Sequence, residues 1–193
     1  MLAACRSEKG QGKRDHIESA IILMVELGPR PTELYNLRMD DVKWDERIVK
    51  FTSYKTGRRK KSHQSKERRI PITDRAMFEL QKLRLLARED RLYPYDSIKT
   101  AWDSIREEAG IGAFWFRWLR DEAASRWAEA GATPYEVAYL LGHADVLQGF
   151  GSVTRMSMLY VKPLLERCRL VMEEASRANR ICAIFVQKEE KRA

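Results

Sequence analysis

The sequence predicts an α+β fold, mostly α-helical with one small antiparallel β-sheet. Three observations carry this. Several segments combine an apolar face at helical spacing with recognisable start or stop residues. One stretch, Arg47–Tyr54 (RIVKFTSY), alternates and is rich in β-branched and aromatic residues, as a strand requires. A short run at 68–72 (RRIPI) follows it after a charged loop, so the two read as the arms of a hairpin.

Taken in order, His16–Leu27 (HIESAIILMVEL) has helical length and an apolar face, and Gly28 ends it. Pro31 suits the first position of the next helix, PTELYNLR, which puts Arg30 at a sharp helix–helix junction between two ordered elements. After the hairpin, Thr73–Asp90 has helical spacing with Thr73 or Asp74 as cap. Tyr93-Pro94-Tyr95 breaks it, and Asp96 or Ser97 opens a helix that ends at Gly110. Leu119–Ala130 forms another, ending at Gly131. Thr133-Pro134-Tyr135-Glu136 starts the next with a cap, a proline at the first position and a glutamate three after the cap. That helix stops at Gly142, and residues 144–152 read as a loop. Met156–Glu174 looks helical, with Pro163 expected to kink it. The apolar run Ile181–Val186 precedes a charged end. Trp115, Trp118 and Trp127 are expected in the core, and Glu107-Glu108 and Glu173-Glu174 on solvated helix faces.

A chain of 193 residues suffices for one domain with a real core, or a domain plus a tail. Apolar residues at 44% and charged residues at 33% make it globular rather than disordered. No apolar run approaches the ~20 residues of a membrane span. The first residues are too weakly apolar for a signal peptide, which predicts a protein inside a cell. Three cysteines and three histidines, widely spaced, fit neither a disulfide framework nor a zinc site. No metal or cofactor is expected. Of the net charge of +8, nearly all lies in Lys55–Arg69, where eight basic residues face one acid, Glu67. A concentrated basic stripe suggests a polyanion partner, although it reads equally as a solvated hairpin tip.

Five segments resemble, in order, the catalytic domain of the tyrosine recombinases, the phage integrase family. ELGPRPTELYNLRMDDV resembles its first arginine box. SYKTGRR followed by RRIPI resembles its lysine-bearing hairpin. RLYPYDSIKTAWDSIREEAGI resembles the segment leading to the second box. FRWLRDEAASRWAEAGATPYEVAYLLGH resembles that box, and SMLYVKP resembles the tyrosine box. The match covers about residues 2–163.

The resemblance implies a catalytic domain over 1–163 and a C-terminal helix or tail over 164–193, with the family's N-terminal core-binding domain absent from this chain. It implies that Arg30 and Arg120 grip the scissile phosphate, Glu33 supports the first arginine, Lys55 is the hairpin lysine, His143 is the His/Trp-position hydrogen-bond donor and Tyr160 is the nucleophile. The partner would be double-stranded DNA, bound by a homo-oligomer, a tetramer. Lys55 is singled out from its basic neighbours by KTG; Arg58, Arg59, Lys60 and Lys61 would bind the DNA backbone.

Two departures stand out. Arg117 replaces the histidine that usually opens the second box, and it can grip a phosphate but stays protonated, a poor base. Tyr160 follows His143 by 17 residues, more than the family's usual spacing.

The residue types suit phosphoryl transfer. Arginine is planar, always charged and bidentate, which matches the charge gathering on non-bridging phosphate oxygens. Neighbouring arginines favour the phenolate of a tyrosine. A lysine can protonate the leaving 5′-oxygen. Three rival readings are a metal-dependent nuclease using Asp40, Asp41 and Asp121, a DNA-binding module without catalysis, and a type IB topoisomerase. The tail, Ile181–Val186 above all, is expected to pack beside the Tyr160 helix or on a neighbouring subunit. Truncation after Pro163 is expected to leave the fold intact.

Overall fold

The run HIESAIILMVEL does form a helix, and it is the hub of the molecule. The computed structural model describes residues 1–5, 15–54, 65–87, 89–143 and 161–178. A short α1 (Leu2–Cys5) precedes α2 (Asp15–Leu27), which packs against α4 (Asp74–Leu86) and α6 (Trp118–Glu129). Ile17, Leu23, Met24 and Leu27 are fully buried. A helix that is apolar nearly all round belongs inside a core. Two of its buried polar groups are satisfied by those neighbours. Ser19 Oγ donates to Glu79 Oε2 at 2.7 Å. Glu26 accepts from Thr73 Oγ1 at 2.8 Å and from Arg126 Nη1 at 3.3 Å. A buried carboxylate without such partners would be strongly destabilising.

After α2 come α3 (Pro31–Tyr35), a single 3-10 turn (Met39–Asp41) and a three-stranded antiparallel sheet in the order β1 (Val42–Lys43), β2 (Ile48–Tyr54), β3 (Ser65–Pro71). The register pairs Val49 with Ile70, Phe51 with Arg68 and Tyr54 with Ser65. The sheet thus has one strand more than the hairpin expected. With two residues, β1 is too short to show any alternation. The hairpin loop, with Lys55, Arg58, Arg59, Lys60 and Lys61, lies outside the described residues.

Thr73 caps α4, its Oγ1 accepting from Ala76 N at 3.2 Å. The helix ends at Leu86 rather than continuing to Asp90. Beyond it the chain is drawn away to pair with the segment after α3: Met39 N donates to Asp90 O at 2.8 Å and Leu92 N to Leu37 O at 2.9 Å. Helix α5 spans Lys99–Glu108, two residues later than Ser97, and its Glu107 and Glu108 are exposed. Helix α7 (Pro134–Leu141) has the capping box its sequence signals. Glu136 N donates to Thr133 Oγ1 at 3.2 Å, and Thr133 N donates back to Glu136 Oε2 at 2.7 Å.

Helix α8 spans Val161–Arg177. Pro163 lies in the first described turn of α8, and residues 156–160, where this helix is expected to begin, lie outside the described residues. Cys168, Val171, Met172 and Ala175 are buried in the same core as α2, with α8 lying on β3, α6 and α7. Truncation after Pro163 would therefore open the core, contrary to expectation. Residues 144–160 and the run Ile181–Val186 lie outside the described residues.

Two further expectations are corrected. Trp127 is buried and Trp118 packs against the core, but Trp115 is 57% exposed. Phe114 and Phe116 take the inward places on either side of it. Glu173 is not fully solvated: burial and the nearby Asp74 raise its carboxyl above the usual range, against the pull of Arg47 at 3.8 Å. Among the described residues, no helix is long and apolar enough to cross a membrane.

Candidate functional site

The site is built on one turn. Gly28 ends α2 with φ +56°, and a Cβ there would meet the Trp127 ring at 2.7 Å. Only glycine fits both the left-handed backbone and that contact. The turn leaves the Gly28 carbonyl facing inward and delivers Arg30 as the extended N-cap of α3, followed by Pro31 at the first helical position. Glu33, one turn into α3, is buried. Its Oε2 accepts from Arg30 N at 2.6 Å and its Oε1 from Arg30 Nη1 at 2.8 Å. The arginine is thus held at the junction by the carboxylate three residues on, with 38% of its side chain exposed.

Arg120 arrives from α6. Its Nη1 donates to Gly28 O and its Nη2 to Leu141 O. These carbonyls belong to the C-terminal ends of α2 and α7, where the helix dipole favours a cation. Burial, then the charges of Arg68 and Arg30, lowers the Arg120 guanidinium to about 10. It stays charged at neutral pH, in a setting where positive charge is concentrated.

His143 follows from the same arrangement. Gly142 adopts the left-handed conformation (φ 68°, ψ 39°) after α7, and His143 N donates to Ala138 O at 2.9 Å. This is a Schellman closure, which turns the chain sharply and leaves His143 exposed. His143 therefore lies two residues beyond the carbonyl that Arg120 holds. Arg117 is the N-cap of α6, one turn before Arg120, and is exposed with its guanidinium 5.7 Å over the Trp115 ring.

The fold thus brings Arg30, Glu33 and Arg120 into one cluster, with the turn carrying His143 attached to it through Leu141 and Arg117 one helical turn away. Lys55 and Tyr160 lie outside the described residues. Tyr35, Tyr93 and Tyr139 all have their phenols raised by burial, the wrong direction for a tyrosine nucleophile. Asp40, Asp41 and Asp121 do not gather. Asp41 caps Arg38 N at 3.1 Å and pairs with Lys50 at 3.3 Å. Among the described residues, no three of His, Cys, Asp and Glu come together as a metal site.

Sequence reasoning missed Arg68. It is buried, and it donates from Nη1 to Glu33 Oε1 at 2.7 Å and from Nη2 to Glu33 Oε2 at 2.8 Å. Burial alone would raise the Glu33 carboxyl; Arg68 and then Arg30 outweigh it and hold it below the usual carboxylate range. A signal was present. Strand alternation places Arg68 on the face of Ile70, which must be the inner one, whereas Glu67 and Arg69 point outward.

The phage integrase family matches residues 1–148, a span that includes His143 but not Tyr160. No curated protein matches the chain. Among solved structures, the integrase from mycobacterium phage Brujita superposes with a TM-score of 0.61 at 17% identity, covering 97% of this chain and 59% of that one. The Tn1549 transposon integrase, in complex with circular intermediate DNA, gives 0.59 at 15% identity over 82% of this chain and 61% of that one. The XerA recombinase gives 0.57 at 20% identity over 83% and 60%. The chain spans about three fifths of the length of these structures.

Proposed function

Since the chain belongs to the phage integrase family, we propose that it is the catalytic part of a tyrosine recombinase, cutting and rejoining double-stranded DNA through a 3′-phosphotyrosyl bond. The observation that carries this is the gathering of Arg30 and Arg120, 90 residues apart in sequence, around the Gly28 turn. Two held guanidinium groups, with the turn carrying the exposed His143 joined to one of them through Leu141 O, suit a phosphodiester whose non-bridging oxygens gain charge in the transition state.

In this reading residues 1–163 hold the catalytic residues, and 164–193 close the core and reach a neighbouring subunit. Arg30 and Arg120 hold the non-bridging oxygens and His143 adds a hydrogen bond. Arg117 takes the place of the usual histidine as a further phosphate ligand. The Tyr160 phenol loses its proton to solvent, favoured by the neighbouring arginines, its oxygen attacks phosphorus, the bond to the 5′-oxygen breaks, and Lys55 supplies that oxygen's proton. The new 5′-hydroxyl, or one from a second strand, reverses the step, so bond energy is conserved and no nucleotide is consumed. Arg58, Arg59, Lys60 and Lys61 bind the DNA backbone. Exchange between two duplexes needs four such subunits, which makes the assembly a homotetramer. The Tn1549 integrase is solved on DNA, which supports a DNA substrate here.

The test uses the full chain and a pool of nicked duplexes of randomised central sequence, in which strand cleavage releases a short fragment and traps the covalent adduct. With excess EDTA present, wild-type protein should form an adduct and Tyr160→Phe should bind but form none. An equal adduct from Tyr160→Phe moves the nucleophile elsewhere. Binding without any adduct makes the chain a DNA-binding module.

A further inference from the structure

Arg68 bonds both Glu33 and Gly28 at the centre of the site. Its guanidinium grips both oxygens of Glu33 at 2.7 and 2.8 Å, and its Nη2 also reaches Gly28 O at 3.4 Å. That same carbonyl accepts from Arg120. Glu33 in turn holds Arg30 by its backbone and its side chain. One buried arginine therefore stands behind both Arg30 and Arg120, linked to one through a carboxylate and to the other through a shared carbonyl.

The other side of Arg68 touches the end of the second box. A Cβ on Gly142 would come within 2.9 Å of Arg68 Cδ and 3.3 Å of its Nη1. The glycine is required there by its left-handed backbone and also by the arginine beneath it. Arg68 thus lies under the turn from which His143 emerges. Its guanidinium carbon is also 5.1 Å above the ring of Phe51, its cross-strand partner on β2. β2 leads directly into Lys55. The residue ties the first arginine box, the second arginine's anchor, the histidine turn and the hairpin to one point.

A buried ion pair could be a brace and nothing more. Several features argue for a larger role. The fork geometry fixes the plane of the Glu33 carboxylate, and that plane sets where Arg30 lies. A lysine could supply the charge but not the plane. Arg30 and Arg68 bond one carboxylate, Glu33; Arg120, bonded to backbone carbonyls instead, feels both of their charges against those of Glu33 and Asp121, so three cations face two carboxylates, a balance that suits an incoming phosphate. Burial first, and then the charges of Arg68 and Arg30, lower the Arg120 guanidinium.

Resting on the recombinase reading above, we propose that Arg68 is a positioning residue for strand cleavage: its paired bonds to Glu33 align Arg30, its contact with Gly28 O sets Arg120, and its seat under Gly142 orients the His143 turn.

The experiment compares wild type, Arg68→Lys and the double variant Arg68→Met with Glu33→Gln, which removes both buried charges together so that no lone carboxylate is left to unfold the protein. Two readouts are taken on the full chain. The first is the adduct rate and the binding affinity on a nicked duplex selected from the pool by wild-type protein. The second is a titration with inorganic phosphate, read from the guanidinium Nε–H NMR signals of Arg30 and Arg120. Arg68→Lys should slow adduct formation about 10- to 100-fold, as when a group that orients site ligands is lost, with DNA affinity within about threefold. It should also blunt the phosphate response of both arginines. The double variant should fold and be at least as slow. If Arg68→Lys lowers the melting temperature yet cleaves at the wild-type rate with an unchanged phosphate response, Arg68 is only a brace and the proposal is overturned. If wild type forms no adduct, the recombinase reading fails, and the phosphate titration alone still decides whether Arg68 sets the two arginines.

Discussion

Arg120 donates to the carbonyl oxygen of Gly28, across 92 residues of sequence and two residues before Arg30. This single bond joins the two arginine boxes. It ties the Arg120 guanidinium to the backbone turn from which Arg30 emerges. Site groups held by rigid elements in this way lose little freedom when a ligand arrives.

The turn itself is the first point of vulnerability. Gly28→Ala forces a methyl against the Trp127 ring at 2.7 Å and an L-residue into φ +56°. Strain and overpacking each cost about 1–3 kcal/mol, so the substitution should destabilise by roughly 2–5 kcal/mol. Urea unfolding measures it. A loss under about 1 kcal/mol would show that the turn can relax.

Removing Arg30 or Arg120, the two arginines proposed to hold the phosphate, should act on rate far more than on affinity. Arg30→Ala and Arg120→Ala should each slow cleavage by about 100-fold or more, the size of a missing preorganised donor. Affinity should change much less, because a duplex offers many other phosphates to the protein. Single-turnover adduct formation beside a binding titration separates the two. Near-wild-type cleavage by both variants would place the active site elsewhere.

Glu33 predicts a pH dependence of stability. Its folded carboxyl lies below the usual value of 4.5 because Arg68 and Arg30 outweigh the burial that would raise it. A carboxyl lowered by folding contributes stability that is complete above its unfolded value and is lost as pH falls through the lower, folded one. Wild type should therefore exceed Glu33→Gln in stability at neutral pH, and the gap should narrow below about pH 4.5. Denaturant unfolding from pH 3 to 7 on both proteins tests this; a gap constant with pH would remove Glu33's charge from the account.

Helix α8 should prove part of the domain. Met172 is 1% exposed within the core, so Met172→Ala should cost about 2–5 kcal/mol. Truncation after Pro163 should unfold the protein rather than merely weaken assembly, since net stabilities are only about 5–15 kcal/mol. A truncated chain with a cooperative unfolding transition near that of the full chain would contradict this.

The basic stripe should act through salt. Replacing Arg58, Arg59, Lys60 and Lys61 with alanine should weaken DNA binding and flatten its salt dependence, by about 0.9 in log–log slope for each phosphate no longer neutralised. Affinities measured at several salt concentrations give the slope directly. A slope identical to wild type would make the stripe a solvated face.

The helical class, the hairpin and the boxes holding Arg30, Glu33, Arg120 and His143 were legible in the sequence, because their signals are local. Helical spacing gathers α2, a capping box starts α7, and Pro31 and Gly142 mark where chains must turn. What depended on distant packing was not legible. Trp115 faces outward because Phe114 and Phe116 occupy the interior on either side of it. Helix α8 is core because β3, α6 and α7 present it with an apolar surface. Arg68 looked like one charge among eight in a basic run, and only the folded chain, by bringing Glu33 from 35 residues away and Gly28 from 40, made it the buried centre of the site. Local sequence sets which backbone conformations are cheap. Which charge is desolvated, and by which partner, is decided only when segments far apart in the chain are pressed together.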